Sequence, residues 1–170
     1  MTSLVLTVIA QDKPGLVELL SETIANHQGN WQESSMSRLA GQFAGILIIE
    51  VPQDHSEAMT AALNDLQSQG LNVNVTASKE AAPEETYQHV TIELIGHDKP
   101  GIVREISHAL NSLKINVESL STELVSGSMS AEELFKAEAS LRVPTSVELD
   151  DLQNALEDIA NDLMVDLNLN

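Results

Sequence analysis

Hydrophobic and polar positions along the chain follow two alternating periods, which predict strands and helices in a regular order. Leu4–Ala10 is a short apolar run rich in β-branched residues, as is typical of a strand. After a Pro-Gly turn, Leu16, Leu20 and Ile24 recur at the spacing of one helix face. We therefore predict that the chain opens with a strand, a turn and an amphipathic helix.

The next segment predicts two more strands, a second helix and a final strand. Asn30–Arg38 is polar, as an edge strand would be, whereas Phe43–Val51 is the most apolar segment and should be a central strand. Asp54 and Glu57 have the spacing of a capping box at the start of the second helix. In Leu71–Val75 apolar and polar residues alternate, which predicts a half-buried strand.

The same pattern returns in the second half of the chain, which is therefore an internal duplication. Residues 4–38 match residues 90–124 at an offset of 86, with nine identities that include a complete Asp-Lys-Pro-Gly sequence. From Phe43, which matches Phe135, the offset is 92, so the second copy carries six extra residues between its second and third strands.

The second copy predicts the same elements and a similar core. Its predicted strands are His89–Ile95, Ile115–Leu124, Leu134–Val143 and Leu163–Leu169. Its helices are predicted to bury Ile102, Val103, Ile106, Ala109 and Leu110 in the first, and Leu149, Leu152, Leu156 and Ile159 in the second. Thr145 and Glu148 again have capping-box spacing.

The order strand, helix, strand, strand, helix, strand, repeated twice, predicts an α+β protein. Each copy should be a ferredoxin-like (βαββαβ) domain with an antiparallel sheet and both helices on one face. We place the domains at residues 1–77 and 89–170, with a polar, acidic linker at 78–88. Pairing of such small units would cover sheet edges, so we expect a homo-oligomer.

Charge and composition exclude several classes of function. With 26 acidic against 8 basic residues the formal net charge is −18, so the chain should not bind nucleic acid directly. The absence of cysteine excludes disulfides, thiolate nucleophiles and cysteine-type metal sites. No apolar run is long enough to span a membrane, and we expect a cytoplasmic protein.

The acidic residues are unevenly placed, and five of them lie off the apolar stripe of the last predicted helix. They are Asp150, Asp151, Glu157, Asp158 and Asp162. Two interpretations stay open: a solvated face that keeps the protein soluble, or a docking face for a basic protein partner.

The two Asp-Lys-Pro-Gly turns are the candidate binding sites. They comprise Asp12, Lys13, Pro14 and Gly15 in the first copy, and Asp98, Lys99, Pro100 and Gly101 in the second. Each turn precedes a helix, whose free amide N–H groups suit a carboxylate, while the Asp suits an ammonium group. Asn30 and Asn116 each follow their Asp by 18 residues and offer both donors and acceptors.

These groups together match the two ends of a free amino acid, and we expect them to converge. The alternative is that the Asp residues only end a turn and the Asn residues only close the loop after the helix. Duplication could preserve both features without a function. The residues alone leave the two interpretations open.

A ferredoxin-like unit that opens with Asp-Lys-Pro-Gly-[Leu/Ile]-Val and carries Asn 18 residues after the Asp resembles the ACT domain. ACT domains sense amino acids and other small ligands. The tandem arrangement and strong acidity are similar to bacterial repressors of the glycine cleavage system. This resemblance implies a regulator that responds to glycine and acts through a DNA-binding protein. It also implies that the ligand lies between the first turn of one domain and a neighbouring domain.

The resemblance implies ligand contacts at the ten turn and Asn positions named above. One departure concerns the second residue before the Asp, which is His in some members of the family. Here Ala10 and Gly96 hold that position, and His97 lies one residue away.

No catalytic arrangement accompanies these features. The histidines form neither a metal-binding His pair on a helix nor a partner for a nucleophilic Ser. We therefore expect a non-enzymatic regulator without a metal or cofactor. Two alternatives are a ligand-free interaction scaffold and a regulatory subunit of a metabolic enzyme.

Overall fold

The duplication in the sequence corresponds to two structural units. The computed structural model describes residues 1–79, 86–127 and 132–170. The chain divides into Met1–Ala82 and Pro83–Asn170.

The first unit has the predicted order of elements. Its strands and helices are β1 (Thr2–Gln11), α1 (Leu16–Asn26), β2 (Asn30–Leu39), β3 (Gln42–Val51), α2 (Ser56–Asp65) and β4 (Leu71–Ala77). Short 3-10 turns at Gln53–His55 and Leu66–Gln69 flank α2. The sheet has the order β2-β3-β1-β4 and is antiparallel throughout. The polar β2 is therefore an edge strand and the apolar β3 a central one, as predicted.

The second unit repeats this topology. Its elements are β5 (Tyr87–His97), α3 (Ile102–Ser112), β6 (Asn116–Ser126), β7 (Glu133–Pro144), α4 (Leu149–Leu163) and β8 (Val165–Leu169). The order is β6-β7-β5-β8, again antiparallel. Both units therefore have the predicted ferredoxin-like fold.

Alternation along the strands places the core on one face of each sheet. In β1 the residues Leu4, Leu6, Val8 and Ala10 are buried, whereas Ile9 is exposed. The first four pack in one cluster with α1 and α2, whose buried residues are Leu16, Leu20, Ile24, Met59 and Leu63. Both helices therefore cover the same face of the sheet, and burial of each large aliphatic side chain contributes about 1.5–3 kcal/mol to stability.

Two helix residues predicted to be buried are exposed. Val103 in α3 and Leu149 in α4 retain 42% and 40% of their accessible surface. Leu149 is the first residue of α4 and Val103 the second residue of α3, so both lie at the start of their helix. The apolar stripe of each helix is thus narrower than predicted. Leu163, predicted to open the last strand, instead ends α4.

The two predicted capping boxes are wrong. A 3-10 turn containing Asp54 precedes α2, which makes His55 the N-cap residue, without a side-chain cap bond. The N-cap of α4 is Glu148, again without a side-chain cap bond. The Thr145 hydroxyl donates instead to the carbonyl of Thr86 at 3.1 Å, across the start of β5.

Within the described residues, no helix is long and apolar enough to cross a membrane.

Candidate ligand site at the two Asp-Lys-Pro-Gly turns

Each Asp-Lys-Pro-Gly turn leads from the first strand of its unit directly into a helix. Gly15 and Gly101 are the N-cap residues of α1 and α3, with φ of +92° and +95°. This left-handed conformation disfavours any residue with a Cβ, which explains why glycine closes both turns. Glycine has no side chain that could cap the first-turn amides of these helices, and among the described residues no other side chain is bonded to them.

One backbone bond and one side-chain bond hold the first turn against the β2–β3 hairpin. The amide of Asp12 donates to the carbonyl of Gly41 at 2.9 Å. Arg38, near the end of β2, donates from Nε to Oδ2 of Asp12 at 2.5 Å. Lys13 points elsewhere, because its ammonium donates to the carbonyl of Gln69 at 3.1 Å. The first turn therefore presents a carboxylate and a guanidinium side by side.

The second turn has the same backbone arrangement but different side chains. The amide of Asp98 lies 3.4 Å from the carbonyl of Glu133, the counterpart of the contact between Asp12 and Gly41. A shallow concavity here is lined by His97, Asp98, Glu132 and Glu133. His97 pairs through Nδ1 with Glu132 Oε2 at 3.1 Å. The described part of the chain holds no group of three His, Asp or Glu side chains that could bind a metal ion.

The predicted convergence of the Asn residues with the turns is wrong within each unit. Asn30 pairs with Glu50 at one end of β3, whereas the turn follows Gln11, which pairs with Gln42 at the other end. These two points on β3 are eight residues apart, or about 27 Å at about 3.4 Å per residue.

The second unit has the same separation. Asn116 pairs with Arg142, and His97, just before the turn, pairs with Leu134. The spacing of 18 residues places each Asn after the helix, and the helix carries the chain back along the sheet. A site built from one unit therefore contains the turn and excludes the Asn.

Arg38 was not among the residues predicted from the sequence. It is one of only eight Lys and Arg residues, and it lies close to the turn between two predicted antiparallel strands. Pairing of β1 with β3 brings that hairpin to the end of β1, next to Asp12. The signal available in the sequence was therefore a single basic residue at the end of a predicted edge strand.

Two family models, each described as ACT domain, match the chain over residues 2–76 and 84–162. The chain is similar in structure to a protein of unknown function from Galdieria sulphuraria, with TM-score 0.87 and 23% identity, covering 99% of this chain and 96% of that one. It is also similar to a provisionally assigned glycine cleavage system transcriptional repressor, with TM-score 0.70 and 21% identity, covering 99% and 96%. No curated protein sequence matches the chain. With both units matched by the family and both showing its fold, this chain belongs to the ACT domain family and carries two ACT domains in tandem.

Proposed function

We propose that this protein is a non-enzymatic cytoplasmic regulator that senses a small amino acid, with glycine as the first candidate. It would control transcription of genes of amino-acid and one-carbon metabolism through a DNA-binding partner protein. Membership of the ACT family supports small-ligand sensing. The repressor assignment of one structural relative supports glycine and transcription as the context.

The observation that carries the ligand proposal is the chemistry of the turns. In both units an Asp lies three residues before the glycine N-cap of a helix, and that glycine makes no side-chain bond. A carboxylate attracts the ammonium group of an amino acid, and the positive end of a helix favours its carboxylate. We therefore propose that the ligand binds at one or both turns, where the candidate positions are Asp12 and Asp98, with Lys13, Pro14, Gly15, Lys99, Pro100 and Gly101 of the same turns.

Thermal unfolding of the intact protein with each free amino acid tests this proposal. A ligand present at 100 times its dissociation constant stabilises the folded protein by about 2.7 kcal/mol. For a chain of this size the midpoint should rise by several degrees with glycine or another small amino acid. If no amino acid at millimolar concentration raises the midpoint, the sensing function is wrong.

Charge supports action through a protein partner. The net charge of −18 opposes contact with DNA phosphates, so a DNA-binding protein would have to provide that contact. The five acidic residues of α4 are all exposed and could face a basic partner. A gel-shift assay at moderate salt should show no complex between the purified protein and DNA. A specific complex without a partner would contradict this part of the proposal.

A second candidate function is a ligand-free interaction scaffold, and one observation favours it. The edge strand β6 is exposed along most of its length, including Leu120 and Leu124 at 51% each. Exposed edges carrying apolar side chains are surfaces for association. We propose that the protein forms a homo-oligomer, which light scattering would test. Assembly without any response to amino acids would favour the scaffold.

A further inference from the structure

The two turns differ most in the charge beside their Asp. Arg38 lies opposite Phe43 on β3, and Leu124 holds the corresponding place opposite Phe135 on β7. Asp12 therefore has a guanidinium partner, whereas Asp98 pairs with no basic side chain among the described residues. Glu133 also stands where the first unit has Gly41.

A free amino acid carries its ammonium and carboxylate groups on the same carbon atom. Opposite charges that lie side by side neutralise both groups at once and add to what a helix N-terminus offers the carboxylate. Asp12 and Arg38 provide such a pair, because their side chains are in direct contact. The second turn does not, because Lys99 makes no ion pair with Asp98 in the described part of the chain, and Asp98, Glu132 and Glu133 would repel a ligand carboxylate.

Arg38 retains the capacity to bind a carboxylate while it contacts Asp12. A guanidinium has five N–H donors, and the contact with Asp12 uses the one on Nε. The side chain of Arg38 is 66% exposed, so its outer edge is accessible to a ligand. That edge has the planar, forked geometry that matches a carboxylate. The backbone bond from Asp12 to Gly41 keeps the two side chains at the same end of the sheet.

We propose that Arg38 binds the carboxylate of the amino acid while Asp12 holds its ammonium group. The first unit then carries the amino-acid site alone, with one ligand per chain. This inference rests on the proposed sensing function and names the residue that selects for a carboxylate at that site.

Titration calorimetry with glycine and glycinamide on the full chain tests the inference, because the amide lacks only the carboxylate. The unsubstituted protein should bind one glycine, about tenfold or more tighter than glycinamide, since hydrogen bonds to charged groups are strong. The variant Arg38→Leu introduces the residue type that Leu124 provides at the corresponding place in the second unit. In this variant the preference for glycine over glycinamide should disappear. Trp31 fluorescence verifies that the variant is folded.

Arg104→Leu is the matched control, because it removes an equally charged and 83% exposed guanidinium paired with Glu105. It should leave both affinities unchanged, and an equal loss in both variants would show a general charge effect and overturn the inference. Equal weakening of glycine and glycinamide by Arg38→Leu would show that Arg38 only positions Asp12. Two glycines per chain, or equal affinity of the unsubstituted protein for the two ligands, would also overturn it. Binding of no amino acid would refute the sensing function itself.

Discussion

Leu47 and Ala139 occupy equivalent positions on the central strands β3 and β7, yet only Leu47 fills the space beneath its helix. Leu47 pairs with Leu6 and is completely buried, while Ala139 pairs with Ile92. Beside Ala139 a partly open cavity of about 40 Å³ remains between α3 and the sheet. Its lining is almost entirely apolar and includes Leu120 on the edge strand.

Truncation of Leu47 should destabilise the first unit strongly. Leu47→Ala removes a fully buried side chain and leaves a cavity, which costs about 2–5 kcal/mol. Trp31, the only tryptophan, packs against this core and lies in the first unit, so its fluorescence during denaturation reports this unit. A loss below about 1 kcal/mol would contradict the packing described for β3.

Filling the cavity in the second unit should have the opposite effect. Ala139→Val adds two carbons where about 40 Å³ is empty, and at about 24 cal/mol per Å³ the gain is at most about 1 kcal/mol. Ser140→Val, on the next residue of β7 and the opposite face of the sheet, controls for the strand propensity of valine. Differential calorimetry should show a higher midpoint for Ala139→Val than for Ser140→Val. Destabilisation by Ala139→Val would mean that the cavity cannot accept side-chain atoms.

Gly15 of the first turn should be required because of its left-handed backbone conformation, and not because a side chain at this position would clash with its neighbours. A Cβ at Gly15 would meet no atom within 4 Å, but φ is +92°. Gly15→Ala should therefore cost about 1–2 kcal/mol through the left-handed backbone alone. The denaturation midpoint followed by Trp31 measures this. A variant as stable as the unsubstituted protein would show that the turn adopts another conformation in solution.

Asn30 should not contribute to glycine binding in a site built from one unit. It lies at the far end of the sheet from Asp12, so Asn30→Ala should leave the glycine affinity within about twofold, as expected for groups with no shared partner. Titration calorimetry under the conditions used for Arg38→Leu checks this. A tenfold loss would show that the amide reaches the ligand from a second copy of the domain.

The fold was predictable from the sequence because its signals are local and occur twice. The periodicity of Leu16, Leu20 and Ile24 and the apolar run at Phe43–Val51 each specify an element and its buried face. The candidate site was predictable only in part. The turns follow from local chemistry, whereas the Asp12–Arg38 contact depends on strand register, which places residues 26 positions apart in contact.

The misplaced Asn has the same origin. A constant spacing of 18 residues indicates that Asn30 and Asn116 are equivalent, but not where either lies relative to its turn. That position depends on the length of the helix and on the pairing of the strand that follows it. The prediction of a capping box at Asp54 was wrong because a 3-10 turn precedes α2 and places the start of the helix after Asp54.

Titration calorimetry of the intact protein with free amino acids tests the central claim most directly. That claim is that this ACT-domain chain senses a small amino acid at one or both of its Asp-Lys-Pro-Gly turns. We predict saturable binding of glycine or another small amino acid, weakened about tenfold or more by Asp12→Asn, which removes the charge that holds the ammonium group. Absence of saturation with every proteinogenic amino acid at millimolar concentration would contradict the claim, as would binding that Asp12→Asn leaves unchanged.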